Sequence, residues 1–359
     1  MSGGIPPTAG EVCALLNARK YATLLQAPEP TPDMPEKEYW ALRAGRLYAQ
    51  VRRQNAKNLE AEVEKMLSFE SENIGSVYPF PIRLLLCFVP VLSGGAGRIP
   101  EAIQSGCELL RESLGEFVKA VALLSSSPPS GQAMSSQAAV VLQKQRESVA
   151  SACFVAEMLL ASKAPDAALR LLLSVQKRMP KEMPAPSLWA AMGRAALSMG
   201  AVSDAASFFR EEEKERGGPA PRSLTNAGVV ALMEGRPEDA ISLFRQSSSL
   251  IGAGSPSGPP SSLPAGALQL DPVGSNNVAV ASLYARDLEG ALMTLETAVF
   301  SHIQGASSQQ PVCSFQTQNM ATIYEFTRNR NERLSHLKQH LQASFPEDVE
   351  AVRHCGGAT

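Results

Sequence analysis

Two consecutive segments of this chain carry matching residues at one spacing. Trp189, Met192, Gly193, Gly200, Ala205 and Phe209 are followed by Leu224, Ala227, Gly228, Gly235, Ala240 and Phe244, each 35 positions after its counterpart. A unit of that length cannot bury its apolar face alone and is stabilised by stacking on its neighbours. The small residues set the geometry. Gly193 and Gly228 fall where the two helices of a unit come closest, and Ala205 and Ala240 oppose them from the second helix. Phe209 and Phe244, four residues on, share that inward face. Gly200 and Gly235 end the first helix with a residue that tolerates positive φ. One common shift at every position is not expected of two unrelated amphipathic hairpins.

The pattern resembles the tetratricopeptide unit, a helix-turn-helix of about 34 residues with Leu-Gly on its first helix and Ala and Phe on its second. That resemblance implies an all-α fold, an α-solenoid of tetratricopeptide-type helical hairpins. Ala168, Leu172 and Pro180 place an earlier unit, with helices over residues 138–161 and 165–179. Val278, Ala279, Ala291, Leu295 and Ala298 place a later one. The excess before it is residues 252–266, rich in Gly, Pro and Ser and expected as a surface loop. A fifth, weaker unit pairs residues 315–328 with 332–343, its inner face marked by Met320, Ile323, Tyr324, Leu334, Leu337 and Leu341.

Upstream the pattern is degenerate. Residues 1–35 read as a helix over 11–26 followed by a Pro-rich link, and residues 36–124 as irregular helical repeats. Within them, helices are predicted over 36–54, with Trp40, Ala44, Leu47 and Tyr48 inward, over 56–69, over 82–92 and over 101–124. Residues 125–136, with Pro128, Pro129 and Gly131, read as a flexible loop. Tetratricopeptide repeats then occupy 137–345, and 346–359 form a tail.

Composition narrows the function. A net charge of −2 and pI near 6.2, with no Lys/Arg block, argue against nucleic acid as partner. No apolar run reaches the roughly 20 residues that span a bilayer, and residues 1–10 lack the basic start and apolar core of a secretory signal. A soluble, intracellular chain with no direct membrane insertion is expected. Six cysteines, at 13, 87, 107, 153, 313 and 355, show no Cys-x-x-Cys pair and read as reduced. His336 and His340 share a helix face, but no third ligand completes a metal set. Gly94-Gly95-Ala96-Gly97 lacks the Lys-Ser/Thr of a phosphate loop. The chain is therefore expected to be no enzyme, without cofactor or metal, and to act through its surface.

In such hairpins the first helix of each unit lines a concave groove. Counting along the aligned units gives Arg194, Arg222, Thr225, Asn226, Met233, Asn276, Asn277 and Tyr284 as candidate partner-binding residues, a neutral to weakly basic face whose amides suit a peptide backbone. Hydrogen bonding of Asn226 and Asn277 between neighbouring helices is the structural alternative. Co-chaperone repeats hold an acidic C-terminal peptide with Lys, Asn, Asn, Lys and Arg at fixed places. Those places hold Ala190, Arg194, Asn226, Val273 and Asn277 here, so the cations that a desolvated carboxylate needs are missing.

Several further runs are not required by the repeat. Val77-Tyr78-Pro79 and Pro79-Phe80-x-x-Arg83, then Asn276-Asn277-x-Ala279-Val280-x-x-Leu283-Tyr284, then Asn319-Met320-Ala321-Thr322-Ile323-Tyr324-Glu325, occur in that order. They resemble segments of the family of subunit 12 of the TRAPP (transport protein particle) vesicle-tethering complexes, from about Trp40 to Leu341. The segment between that family's Val-Tyr-Pro and Pro-Phe-x-x-Arg runs is missing, residues 252–266 are extra, and its long polar N-terminal region has no counterpart here. The resemblance implies a non-catalytic subunit of a TRAPP III-type complex in endoplasmic reticulum-to-Golgi traffic. Its implied partners are the large subunits 8, 11 and 13, and a Rab GTPase indirectly through the complex. The implied location is cytoplasmic, peripheral to Golgi and endoplasmic reticulum-Golgi intermediate membranes.

Overall fold

A computed structural model describes residues 8–17, 21–29, 34–52, 61–63, 79–126, 131–253, 272–304 and 314–344. Among them all regular structure is helical. The chain gathers into two compact units, Gly75–Pro219 on the one hand and Met1–Ile74 with Ala220–Thr359 on the other. The boundary falls within the 137–345 span that the sequence marks as one run of repeats.

At the N-terminus α1 (Ala9–Asn17), α2 (Tyr21–Gln26) and α3 (Glu36–Arg52) pack on one another around Val12, Tyr21, Leu24, Leu42 and Ala49. Two helices stand where the pattern predicts one over 11–26. The predicted inner face of α3 also needs correction: Trp40 and Leu47 are buried, but Tyr48 is 46% exposed while Arg43 and Arg46 are buried. Glu62 makes that burial possible. Arg46 donates from Nη2 to its Oε1 at 2.8 Å and Arg43 lies 3.6 Å from its Oε2, with Glu29 contacting both guanidinia from the rim. Apolar periodicity cannot anticipate a buried cation whose partner lies sixteen residues on. Of the helix predicted over 56–69, only residues 61–63 are described, and they are helical.

The unit Gly75–Pro219 holds α4 (Phe80–Gly94), a 3-10 turn (Gly95–Arg98), α5 (Ile99–Ser126), α6 (Gly131–Ala161), α7 (Pro165–Gln176), α8 (Pro186–Ser198) and α9 (Val202–Arg216). Helix enters the predicted loop 125–136 from both sides, since α5 runs to Ser126 and α6 starts at Gly131, leaving only 127–130 outside the described residues. Polar composition there lowers apolar burial without preventing helix, because Ser, Gln and Ala remain compatible with it. α5 and α6 touch closely at Gly106, where an added Cβ would meet the Phe154 ring at 2.8 Å. Ser148 and Ser151, both 0% exposed, keep the α5–α6 seam narrow.

The other unit continues with α10 (Pro221–Met233), α11 (Pro237–Ala253), α12 (Pro272–Tyr284), α13 (Leu288–Gln304), α14 (Ser314–Tyr324) and α15 (Arg330–Ser344). α11 thus takes in Gly252 and Ala253 from the predicted loop 252–266, whose remaining residues lie outside those described. α14 ends at Tyr324 rather than at 328, and α15 begins at Arg330.

One packing rule runs through both units. Gly193 faces Phe209 and Gly228 faces Phe244 so closely that no methyl group fits between them, the Cβ built at Gly228 falling 2.5 Å from the ring. In the units before and after, the equivalent pairs are Ala156 with Leu172 and Ala279 with Leu295, all at most 1% exposed. Where the first helix loses a methyl, the second gains a ring. Volume across the hairpin is conserved although neither residue type is.

The turns repeat as strictly. Lys163, Gly200, Gly235 and Arg286 occupy equivalent positions at φ of 61°, 75°, 77° and 64°. At each, the left-handed residue donates its N–H to the carbonyl three residues back and the next residue donates to the carbonyl five back, at 2.8–3.1 Å. That is the Schellman closure, which satisfies the last carbonyls of the first helix. Pro165, Pro186, Pro221, Pro237 and Pro272 each open a helix, where a missing N–H costs nothing.

Candidate protein-binding surface

Arg194 belongs to the unit Gly75–Pro219, and the other seven candidates to the second unit. Arg194, on α8, is paired with a carboxylate of the fold and part-exposed. Its Nε donates to Glu157 Oε1 on α6 at 2.9 Å and its Nη2 to the same oxygen at 2.5 Å, so it joins one repeat to the one before. Nearby, Glu215 on α9 accepts from the backbone N–H of Ala185 at 2.8 Å and from Trp189 Nε1 at 2.6 Å, capping the start of α8 and fixing its largest side chain.

In the second unit the polar candidates are also engaged by the fold. Thr225 Oγ1 bonds to the carbonyl of Pro221 at 3.0 Å and shares a hydrogen bond with Ser247 Oγ at 2.9 Å, tying α10 to α11. Asn276 Oδ1 accepts from Asn319 Nδ2 at 2.7 Å, and one turn away Ser275 Oγ accepts from Gln316 Nε2 at 2.9 Å. These bonds join α12 to α14. Since Ser275 precedes Asn276 and Gln316 precedes Asn319, the two first helices run parallel and their C-terminal ends lie together. The amide ladder is thus between helices at Asn276. Asn226 and Asn277 are half-buried.

What the surface offers outward is apolar and aromatic. Met233 and Tyr284, at equivalent positions as the last residues of α10 and α12, are 52% and 68% exposed. Phe326, just beyond α14, is 72% exposed, and Val273, at the start of α12, 49%. Arg222 is exposed on the first turn of α10. α10 touches α12, and α12 touches α14, so Met233, Tyr284 and Phe326 mark the same end of three successive first helices. Sequence reasoning passed over Phe326 and weighed Val273 only as a place where a lysine is missing. The signal was a large apolar residue just before the Arg328-Asn329-Arg330 turn.

Elsewhere the chemistry is structural. His336 and His340 share a hydrogen bond between Nε2 atoms at 3.0 Å, and both rings pack on Phe300. No three His, Cys, Asp or Glu side chains among the described residues are placed to hold a metal ion. Burial pushes the thiols of Cys87 and Cys107 up, away from the reactive thiolate. Arg83, the last residue of the Pro-Phe-x-x-Arg run, pairs with Glu112 and so clamps α4 to α5; Val77 and Tyr78 lie outside the described residues. A cavity of about 580 Å³ beside α1 and α2 is lined mainly by Ala14, Leu15, Ala27 and Pro28. The carboxylate of Glu11 at its edge is taken by Thr8. No helix among the described residues is long and apolar enough to cross a membrane.

Successive two-helix units, closed by the same turn and packed through the same small-against-large pair, define a tetratricopeptide-type helical-repeat protein. No family model and no curated protein matches the chain. Among solved structures, the crystal structure of the APC/C hetero-tetramer Cut9-Hcn1 is similar at 12% identity and a TM-score of 0.37, over 96% of this chain and 62% of that one. At that level the class rests on the hairpins themselves and not on the neighbour.

Proposed function

We propose that this chain is a non-catalytic adaptor, and that its place is in the outer arms of a TRAPP III-type tethering complex, beside the large subunits 8, 11 and 13. Two runs that resemble that family carry the reading. Asn276-Asn277-x-Ala279-Val280 lies on α12 and Asn319-Met320-Ala321-Thr322-Ile323-Tyr324 on α14, and the asparagine that opens each run bonds to the other. A generic repeat does not require that pair. The chain holds subunits in position in endoplasmic reticulum-to-Golgi traffic, while nucleotide exchange on the Rab GTPase belongs to the core of the complex.

On the chain itself the contact residues are Arg222, Met233 and Tyr284, with Val273 and Phe326 added. Thr225 and Asn276 frame the surface, Asn226 and Asn277 complete the lining, and Arg194, in the other compact unit, is a separate candidate contact. Large, exposed aromatic and Met side chains supply contact area at low ordering cost. The test is affinity purification of a tagged chain from its own cells. The large TRAPP subunits are expected in the eluate, depleted at least tenfold by Met233→Ala with Tyr284→Ala. Recovery of a chaperone without any tethering subunit would overturn the trafficking assignment, and a Tyr284 variant that retains every partner would move the contact elsewhere.

A further inference from the structure

The distal half of the α5–α6 hairpin, in the unit Gly75–Pro219, presents a second candidate surface. α5 is 28 residues long and α6 is 31, whereas α4 has 15 and α7 has 12. At 1.5 Å per residue the hairpin outruns the helices beside it by roughly 20 Å. Its seam is ordinary: Phe117 on α5 and Val141 on α6 are buried. The residues flanking that seam are not. Val118 is 56% exposed, Val140 53%, Leu142 46% and Leu123 63%.

Val140 and Leu142 lie on either side of Val141, about 160° apart around α6. Val118 and Leu123 likewise straddle Phe117, so both broad sides of the hairpin are apolar. An apolar flank left open on a helix pair is suited to packing against a further helix.

Charge selects what covers that flank. From Phe117 to Arg146 the chain carries Lys119, Lys144 and Arg146 and no acidic residue, in a protein of net charge −2. Lys144 is satisfied by Glu116 at 2.5 Å and Glu147 at 3.1 Å. Lys119 and Arg146 are exposed and make no ion pair with a described residue. A second copy would set these cations against their own kind. The described side chains nearest the end of the hairpin, Ser125, Ser135, Ser136 and Gln137, are polar and ill suited to entering lipid.

We propose that one broad side of this hairpin docks an amphipathic helix from a partner protein, whose apolar stripe covers Val118 and Leu142, which share that side in the antiparallel pair, and whose edges carry Asp or Glu opposite Lys119 and Arg146. The test uses the full chain and two synthetic helices of about four turns, with the same Leu stripe edged by Glu in one and by Lys in the other. The Glu peptide is expected to bind about tenfold more tightly, two exposed ion pairs being exchanged for two like-charge contacts. Val118→Ser with Leu142→Ser should lower that affinity at least tenfold, and Lys119→Glu with Arg146→Glu, both at exposed positions, should reverse the preference. Equal binding of the two peptides, or binding of neither, refutes the proposal. So does a dimer that dissociates in the Ser variant, which assigns the surface to a second copy, or sedimentation with phosphatidylserine vesicles lost in that variant, which assigns it to lipid.

Discussion

If the Gly228–Phe244 pair is a conserved volume divided unequally between two helices, substitutions at its two members must couple with a predictable sign. Gly228→Ala alone places a methyl 2.5 Å from Cε1 and 2.8 Å from Cδ1 of Phe244. Overpacking of this kind costs about 1–3 kcal/mol. Alanine returns about 1 kcal/mol of helix propensity, so the single variant loses about 0–2 kcal/mol. Phe244→Leu alone leaves a partly filled cavity and loses about 1–1.5 kcal/mol, toward the lower end of large-to-small core changes. Together the two substitutions recreate the Ala279–Leu295 pair of the next repeat, in which both residues are 0% exposed.

The double variant is then free of the clash and keeps the propensity gain, and its stability should return to within about 0.5 kcal/mol of the parent. The coupling energy is about 1–3 kcal/mol in favour of the pair, the range seen for residues in direct contact. Guanidinium denaturation of the four proteins, followed by far-ultraviolet circular dichroism, closes the cycle. Losses that simply add, within about 0.5 kcal/mol, would refute the volume argument, because they would mean that Phe244 can turn away from α10 without loss.

Other expectations follow from single sites. Lys163→Gly and Arg286→Gly relieve a left-handed backbone conformation at residues with side chains and should each stabilise by up to about 1 kcal/mol, whereas Gly200→Ala and Gly235→Ala should destabilise by about 1 kcal/mol; thermal melts that move the other way would contradict the turn assignment. Glu62→Gln leaves Arg43 and Arg46 buried with only the rim carboxylate of Glu29 and should cost about 3 kcal/mol or more, read as loss of the α1–α3 signals in hydrogen exchange. The hydrogen bond from Arg83 holds the Glu112 carboxyl below the usual carboxylate range, so its contribution is present above a pH of about 4.3 and is lost as pH falls through the depressed value. Glu112 is half-exposed, which keeps that contribution below about 1 kcal/mol, and Glu112→Gln should lower the neutral plateau by up to that amount while leaving stability below the depressed value unchanged, so that the acid limb flattens.

The repeat was legible because it is written in residues whose size or backbone freedom is itself the requirement. Gly193, Gly228, Gly200 and Gly235 declare their roles, and the prolines that open five helices declare theirs. The equivalent positions Ala156, Ala279, Lys163 and Arg286 could be placed only by counting from a neighbour, since nothing in lysine or arginine announces positive φ. Two kinds of feature were out of reach. Arg43 and Arg46 look like a solvated face until Glu62 is folded against them, and Asn276 looks like a peptide-binding amide until Asn319 arrives from 43 residues away. In both cases a polar residue changes meaning because its partner is distant in sequence.

That distinction decides how the candidate surface should be tested. Asn276→Ala removes a bond between α12 and α14 and leaves Asn319 beside an empty place, at a cost of about 1–3 kcal/mol. Lost partner binding in that variant would therefore not identify Asn276 as a contact. Tyr284 is 68% exposed at the end of α12, and its truncation should leave the melt within about 0.5 kcal/mol of the parent. A binding defect in Tyr284→Ala at unchanged stability belongs to the surface. If Asn276→Ala weakens binding and a stabilising Arg286→Gly restores it, the amide acts through the stack; if the defect survives restored stability, Asn276 also touches the partner.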